Sequence, residues 1–344
     1  MVKRKFLMAT KESAKALEDE QVVETPDTPD TEPATEEPAE EPTGIIAVGD
    51  KRYNTFTEAI ADYPVGTKIE MTLLEDALDM TGTIVPERSD VVFDFGGHKV
   101  VVTKDPAGST GTKTQAFQLL RGSTVLMKNG TIESGAPDVK FIIQNYSNLT
   151  LQDMVLNETK QPQVSYTASN NFGAFNVKGN TEIYASEGKV AFDVWYGMNK
   201  NGYYDDGITV NFDKDFTGKV EGKVEYGADA RAVGFEGWTE KATIEIDAGN
   251  FDIEIVKSSE VPGKPGIEIK GGTFTEASKA TIEEFVDEDA DVVIGGADSF
   301  DELKTIVVGV IGDEKAPPEP LSDSDIDKIA DAASEYGESD PSKE

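Results

Sequence analysis

The sequence predicts an all-β fold built as a solenoid, and three observations predict it. Short β-runs recur about every 20–30 residues, the spacing of stacked repeats. They read STVLMKNGTIES, FIIQNYSNLTLQDMVLNE, FGAFNVKGNTEIYASEGKVAFDV, ATIEIDAGNFDIEIV and GIEIKGGTFTEA. Within the runs apolar residues alternate, as in Val91-Val92-Phe93-Asp94-Phe95, so alternate side chains turn inward. Gly and Asn punctuate them at Gly96-Gly97, Asn129-Gly130, Gly179-Asn180 and Gly271-Gly272. Positive φ costs Gly little and Asn not much more, so these pairs are the expected corners.

Residues 1–20 can form a short helix with Phe6, Leu7, Ala14 and Leu17 on one side. A helix of that length is marginal alone and needs something to dock on. With the basic start it makes an anchor segment, carried by Lys3, Arg4, Lys5, Phe6, Leu7 and Leu17. Residues 21–43 are a Pro/Thr/Glu linker with no basic residue from Glu24 to Thr43. Pro26, Pro29, Pro33, Pro38 and Pro42 deny it helix and sheet, and like charges extend it. Such a spacer reaches on the order of 60 Å at about 3.1 Å per residue.

Residues 44–275 are the body. Ile45–Val48 starts a strand, and the Gly49-Asp50 turn leads to Lys51-Arg52-Tyr53. Thr55 N-caps a short helix whose apolar side is Phe56, Ala59 and Ile60. That helix is expected to cap the open N-terminal end of the solenoid. Residues 276–314 are a small α/β cap or assembly region. It has a brief helix at Thr281–Val286, strands at Val292–Ile294 and Thr305–Ile311, and a helical turn at Ser299–Leu303. Residues 315–344 hold a Pro-rich break, then a short helix with Ser322 or Ser324 as cap and Ile326, Ile329 and Ala330 on one side. An acidic tail closes the chain.

Composition narrows the function. The 344 residues carry 66 acidic and 32 basic side chains, a net charge of −34. Nucleic acid and anionic membranes are therefore not expected partners. With no Cys, thiol nucleophiles, zinc–thiolate sites and disulfides are excluded. The single His98 rules out imidazole pairs and triads. No stretch approaches the roughly 20 apolar residues of a membrane span. Phe6-Leu7-Met8-Ala9 falls short of the about 7–15 apolar residues of a signal peptide, so no targeting segment is expected.

The order TFTEAIADYPVGTKIEMTLLED, SDVVFDFGGHKVVVT, GSTVLMKNGTI, NLTLQDMVL, IKGGTFTE resembles right-handed parallel β-helices of the pectate-lyase-like superfamily. More narrowly it resembles members found in bacterial surface proteins and in phage head-fibre, decoration, fibre or spike proteins. Phe56, Glu58, Ala59 and Ile60 carry the helix motif, and Ile69, Leu73, Leu74 and Asp76 the first strand. Asp94, Gly97 and His98 carry the next element, Leu126, Asn129, Gly130, Thr131 and Ile132 a rung, and Gly271, Gly272, Thr273 and Phe274 the close. The resemblance covers roughly residues 45–275 and is specific for fold, not for activity. It implies a right-handed parallel β-helix and a non-enzymatic structural virion protein of a bacteriophage. Such a protein would dock by its N-terminus on a capsid or tail protein. A homotrimer is a further implied partner state.

The most site-like cluster is Asp193-Val194-Trp195-Tyr196 followed by Tyr203-Tyr204-Asp205-Asp206. Aromatic faces beside carboxylates stack on sugars and bond their hydroxyls. Trp195, Tyr196, Tyr203, Tyr204, Asp205 and Asp206 are thus glycan-binding candidates, with a host-surface glycan as ligand. Two carboxylates also suit glycosidic cleavage, and a loop that only covers the body is the third reading. A lyase is not expected: Arg4, Arg52, Arg88, Arg121 and Arg231 are the only arginines. The 287–289 acidic run and Asp205-Asp206 lack the order of a calcium loop. No catalytic residue, metal or cofactor is assigned, and His98 is read as a structural corner residue.

Overall fold

The structure, a computed structural model, describes residues 43–87, 89–109, 111–196, 207–228, 238–258 and 264–295. These belong to one compact unit. The anchor 1–20, the spacer up to residue 42, the turn Ser299–Leu303, the strand Thr305–Ile311 and the segment 315–344 lie outside the described residues.

Strands β1 (Ile46–Val48) and β2 (Lys51–Tyr53) pair antiparallel around Gly49-Asp50. Helix α1 (Phe56–Ala61) follows. Next come β3 (Lys68–Leu73), β4 (Ala77–Thr81), β5 (Thr83–Val85), β6 (Asp90–Asp94) and β7 (Lys99–Lys104). After them come β8 (Gln115–Leu119), β9 (Thr124–Ser134), β10 (Phe141–Asn145), β11 (Asn148–Leu156) and β12 (Tyr166–Asn170). Then follow β13 (Gly173–Gly179), β14 (Glu182–Tyr184), β15 (Val190–Tyr196), β16 (Ile208–Phe216) and β17 (Lys219–Ala228). Helix α2 (Trp238–Lys241) precedes β18 (Ala242–Ile246), β19 (Asn250–Lys257) and β20 (Gly266–Phe274). Helix α3 (Glu276–Ile282), a 3-10 turn (Glu283–Phe285) and β21 (Val286–Ile294) complete the described chain.

The helix expected after Thr55 is present, with both halves of a capping box. The Glu58 N–H donates to Thr55 Oγ1 at 3.1 Å, and the Thr55 N–H donates to Glu58 Oε2 at 3.2 Å. Those bonds satisfy donors that no helical carbonyl can reach. Phe56, Ala59 and Ile60 are its buried face, and the Phe56 ring meets Phe93 edge-on at 5.2 Å.

Three rows of parallel strands carry the rest, the third running β4, β7, β9, β11, β14, β17, β19 and β20. In the first, β3, β6, β9, β11, β13, β16, β18 and β20 pair in that order. In the second, β8, β10, β12, β15 and β17 pair in that order. Alternate residues point inward, as the pleat requires. Val125, Met127, Leu149, Leu151, Phe175 and Val177 are buried from the first row, and Phe117, Ile143, Ala168 and Phe192 from the second. The rows meet through Phe93 and Phe117 at 5.6 Å and through Phe192 and Phe212 at 5.4 Å. Each such burial contributes roughly 1.5–3 kcal/mol, so a single continuous core dominates stability.

The expected open solenoid, a right-handed parallel β-helix, is corrected by the sheet itself. Eight parallel strands close a ring: β11 pairs β13, then β16, β18, β20, β19, β17 and β14, which pairs back to β11. The other strands lie outside that ring as extensions of the same sheet. The physical cause lies at two corners. β11 bends at Asp153 (φ 53°) without stopping, so Leu149–Gln152 bonds β13 while Val155 and Leu156 bond β14. β20 bends at Gly272 (φ 112°), so Ile267–Ile269 bonds β18 while Thr273 and Phe274 bond β19. A bent strand passes its ladder to a second neighbour, and the sheet closes.

At the C-terminal side, the helix begins at Glu276, earlier than the expected Thr281. Its Ser278 and Thr281 hydroxyls accept from the Ile253 and Ile255 N–H groups at 2.9 and 3.2 Å. Helix α3 thus satisfies donors along β19 that an open sheet edge would leave unpaired. The expected short strand at Val292–Ile294 is the end of the longer β21.

Candidate functional site

The second row positions the most unusual ionisable group. Gln118, Gln144, Ser169, Asp193 and Glu225 occupy one register on β8, β10, β12, β15 and β17, one residue after the inward Phe117–Phe192 set. Their side chains therefore share the outer side of the sheet. That side is covered: Gln118, Ser169 and Asp193 are 8%, 3% and 4% exposed. Asp193 Oδ1 accepts from the Asn170 N–H at 2.5 Å, and Oδ2 pairs with the Ser169 hydroxyl at 3.1 Å. Asn171 Nδ2 donates to Ser169 Oγ at 2.9 Å, which extends the chain of bonds. Tyr166 of β12 donates to Glu225 Oε2 of β17 at 2.9 Å.

Burial pushes the Asp193 carboxyl up to about 8, and the nearby Glu225 adds to the rise. The Asn170 and Ser169 bonds oppose it without winning. Desolvation of a charge costs more than two hydrogen bonds return. Burial, followed by the Glu225 bond, also raises the Tyr166 hydroxyl above its ordinary value. Carboxyl groups on adjacent parallel strands start about 4.8 Å apart, near the separation of a double-displacement glycosidase, about 5–5.5 Å. Both Asp193 oxygens are bonded inside the fold, however, and the residue is closed to substrate.

An open cleft lies where these strands end. It has a volume of about 650 Å³ and is lined by Glu87, Arg121, Tyr146, Asn148, Phe172 and Thr209 among others. The Arg121 guanidinium sits over the Phe172 ring, 4.9 Å from its centre. Behind it the buried Asn145 accepts from the Ser147 N–H and hydroxyl at 2.9 and 2.8 Å and donates to Asn170 Oδ1 at 3.3 Å. That buried network fixes the turn that carries Tyr146 and Asn148.

The structure separates the sequence candidates. Tyr196 is fully buried in the core, so its ring offers no face to a sugar. Trp195 is half-buried and turned the other way. Its ring lies on Gly227 of the paired strand, where an added Cβ would stand 2.5 Å from the ring. Tyr203, Tyr204, Asp205 and Asp206 lie outside the described residues, as do Lys3, Arg4, Lys5, Phe6, Leu7 and Leu17. His98 Nδ1 faces Asp76 at 3.4 Å, a corner contact. The Lys99 N–H, followed by the His98 contact, holds the Asp76 carboxyl below its usual range. Arg121, Tyr146 and Phe172 were not singled out as a group from sequence. The available signal was a shared position, since each follows a run of the second row. Among the described residues, no group of three or more His, Asp or Glu side chains is placed to hold a metal. No described helix is long and apolar enough to cross a membrane.

The chain matches no protein-family model, no curated protein and no solved structure. The resemblance to the pectate-lyase-like superfamily is therefore corrected on both counts: no family match stands behind it, and the sheet closes into a parallel barrel. The solenoid description falls with it, and the virion and bacteriophage setting that came with the resemblance has no support from any match.

Proposed function

We propose that this protein is a non-enzymatic structural protein, a stiff body of mainly parallel β-sheet preceded in sequence by a Pro/Glu-rich segment. Residues 1–20 attach it to a protein of a larger assembly. The observation that supports this reading best is the bonding of Asp193. The group best poised for acid–base chemistry is spent on Asn170 and Ser169 inside the fold. Strand-to-strand bonds of this kind stiffen a sheet; they do not present a reacting atom.

The test has two arms. Purified protein is incubated with bacterial polysaccharides, with and without Ca²⁺, and new reducing or unsaturated ends are measured. No turnover is expected, and turnover that Asp193→Asn abolishes would overturn the reading. In the second arm a chain lacking residues 1–20 is compared with the full chain. It should keep the same melting temperature and lose co-sedimentation with its assembly. Retained co-sedimentation removes the anchor.

A further inference from the structure

We propose that Thr305–Ile311, outside the described residues, closes the C-terminal end of the body by adding to the free edge of β21. This goes beyond the structural role above, because it assigns the part of the chain that covers that edge. The two ends of the ladder differ in what lies on them. At the N-terminal end β1 and α1 lie against β3, and Ile69, Met71 and Leu73 are buried. At the other end β20 is the only strand partner of β21 among the described residues. Val286, Val292 and Ile294 pack against the core and yet stay half-buried, while Ile267, Ile269 and Phe274 of β20 are buried. The outer edge of β21 also leaves N–H and C=O groups without a strand to meet them.

What the chain holds beyond β21 decides the occupant. The longest charge-free run there is TIVVGVIG, which begins at Thr305. Apart from its glycines every residue in it is β-branched, the composition that suits a pleated, half-buried strand. Strands on this side of the ladder begin at Ala242, Gly266 and Val286, and Thr305 continues that interval. Residues 295–304 extend to about 33 Å. That exceeds the length of the nine-residue β21 at about 3.3 Å per residue, so the run can return to any point on the edge.

Charge and tethering separate this occupant from a second copy. Asp287, Glu288, Asp289 and Asp291 are exposed on β21. Two copies meeting edge to edge bring these carboxylates together, and like charges opposite each other destabilise a pair of strands. Thr305–Ile311 brings no charge. A segment tied to the same chain also acts at an effective concentration in the millimolar range, which a separate partner must match. Burial of its apolar side chains against Val292 and Ile294 supplies the driving force.

The test exploits the absence of Cys from the chain. Full-length variants carry Val293→Cys with Ile306→Cys, Val307→Cys, Val308→Cys or Val310→Cys in turn, and are oxidised at micromolar concentration. An intramolecular disulfide is expected in at least one of them. Its rate should alternate along the segment, tenfold or more between neighbours, since a paired strand turns successive side chains to opposite faces. In two further full-length variants, Val307→Asp and Val308→Asp place a charge on either side of the segment. At least one should speed hydrogen exchange across Val286–Ile294 tenfold or more. Bridges that form only between copies would assign the edge to a second copy and overturn the proposal. So would no bridge in any variant, rates without alternation, or unchanged exchange in both Asp variants.

Discussion

The outer sides of the first and second rows obey the same alternation and end in opposite environments. On the first row Glu70, Asn148 and Gln152 face water. On the second, Ser169 and Asp193 occupy equivalent outward positions and are nearly closed off, at 3% and 4% exposure. A covered polar residue must find its partner within the fold, because an unmet donor or charge in a dry place costs several kcal/mol. An exposed one bonds water and remains available to a ligand. Asp193 shows the first outcome, with a carboxyl held by Ser169 and Asn170. Gln152 shows the second.

The largest expected effect tests whether the second row is dry. Folded Asp193 keeps its proton up to about pH 8, whereas an unfolded chain releases it near pH 4. Between those values the folded state binds the extra proton. The contribution of Asp193 to stability therefore falls as pH rises from about 4 to about 8, by on the order of 5 kcal/mol, and is constant on either side. Asp193→Asn should remove this component, since its amide can still accept from Asn170 and donate to Ser169 Oγ. Urea melts of parent and variant at pH 4, 6 and 8 measure it. Parallel pH profiles would show that Asp193 is not held protonated.

Asn170→Ala is next, at about 1–3 kcal/mol. It removes the Nδ2 bond to the Asp193 carbonyl at 2.9 Å and strips Asn145 of its 3.3 Å acceptor. The same melts read it, and a loss below 0.5 kcal/mol would mean that water replaces those bonds. Thr55→Ala lies outside both rows and calibrates the scale. Loss of the cap should cost about 1 kcal/mol, seen as a small drop in the urea midpoint at unchanged slope. Smallest is Thr209→Ala on the open row, within about 0.5 kcal/mol of the parent because its side chain is only half-buried. A drop comparable to that of Asn170→Ala would erase the contrast between the rows.

Local rules were legible wherever the deciding contacts are close in sequence. Thr55 and Glu58 are three residues apart, and the capping box formed between them. Alternation picked the inward residues of β6, since Val91 and Phe93 are both fully buried. The same rule should have divided the aromatic cluster. Trp195 and Tyr196 are neighbours on one strand, so the pleat sends their rings to opposite sides. One packs on Gly227 and the other enters the core. Reading them as a pair gave weight to chain proximity over the period of two. Tyr166, Asp193 and Glu225 could not be grouped from sequence at all, because each belongs to a different strand and only register brings them together.

By itself the sequence determined which residues turn inward, the positive-φ corners at Gly96, Gly97, Asn129, Gly179 and Gly272, and how α1 begins. Each of these depends on a few neighbouring residues and on hard local sterics. Tertiary structure alone decided two further things. One is whether a strand stops at its corner or bends through it, as β11 does at Asp153 and β20 at Gly272. That choice depends on whether a second strand waits to accept the ladder, and it turned the expected open stack into a closed sheet. The other is which outer face stays wet. Two strands with the same polar alternation differ only in what lies over them, and that is a property of the assembled chain.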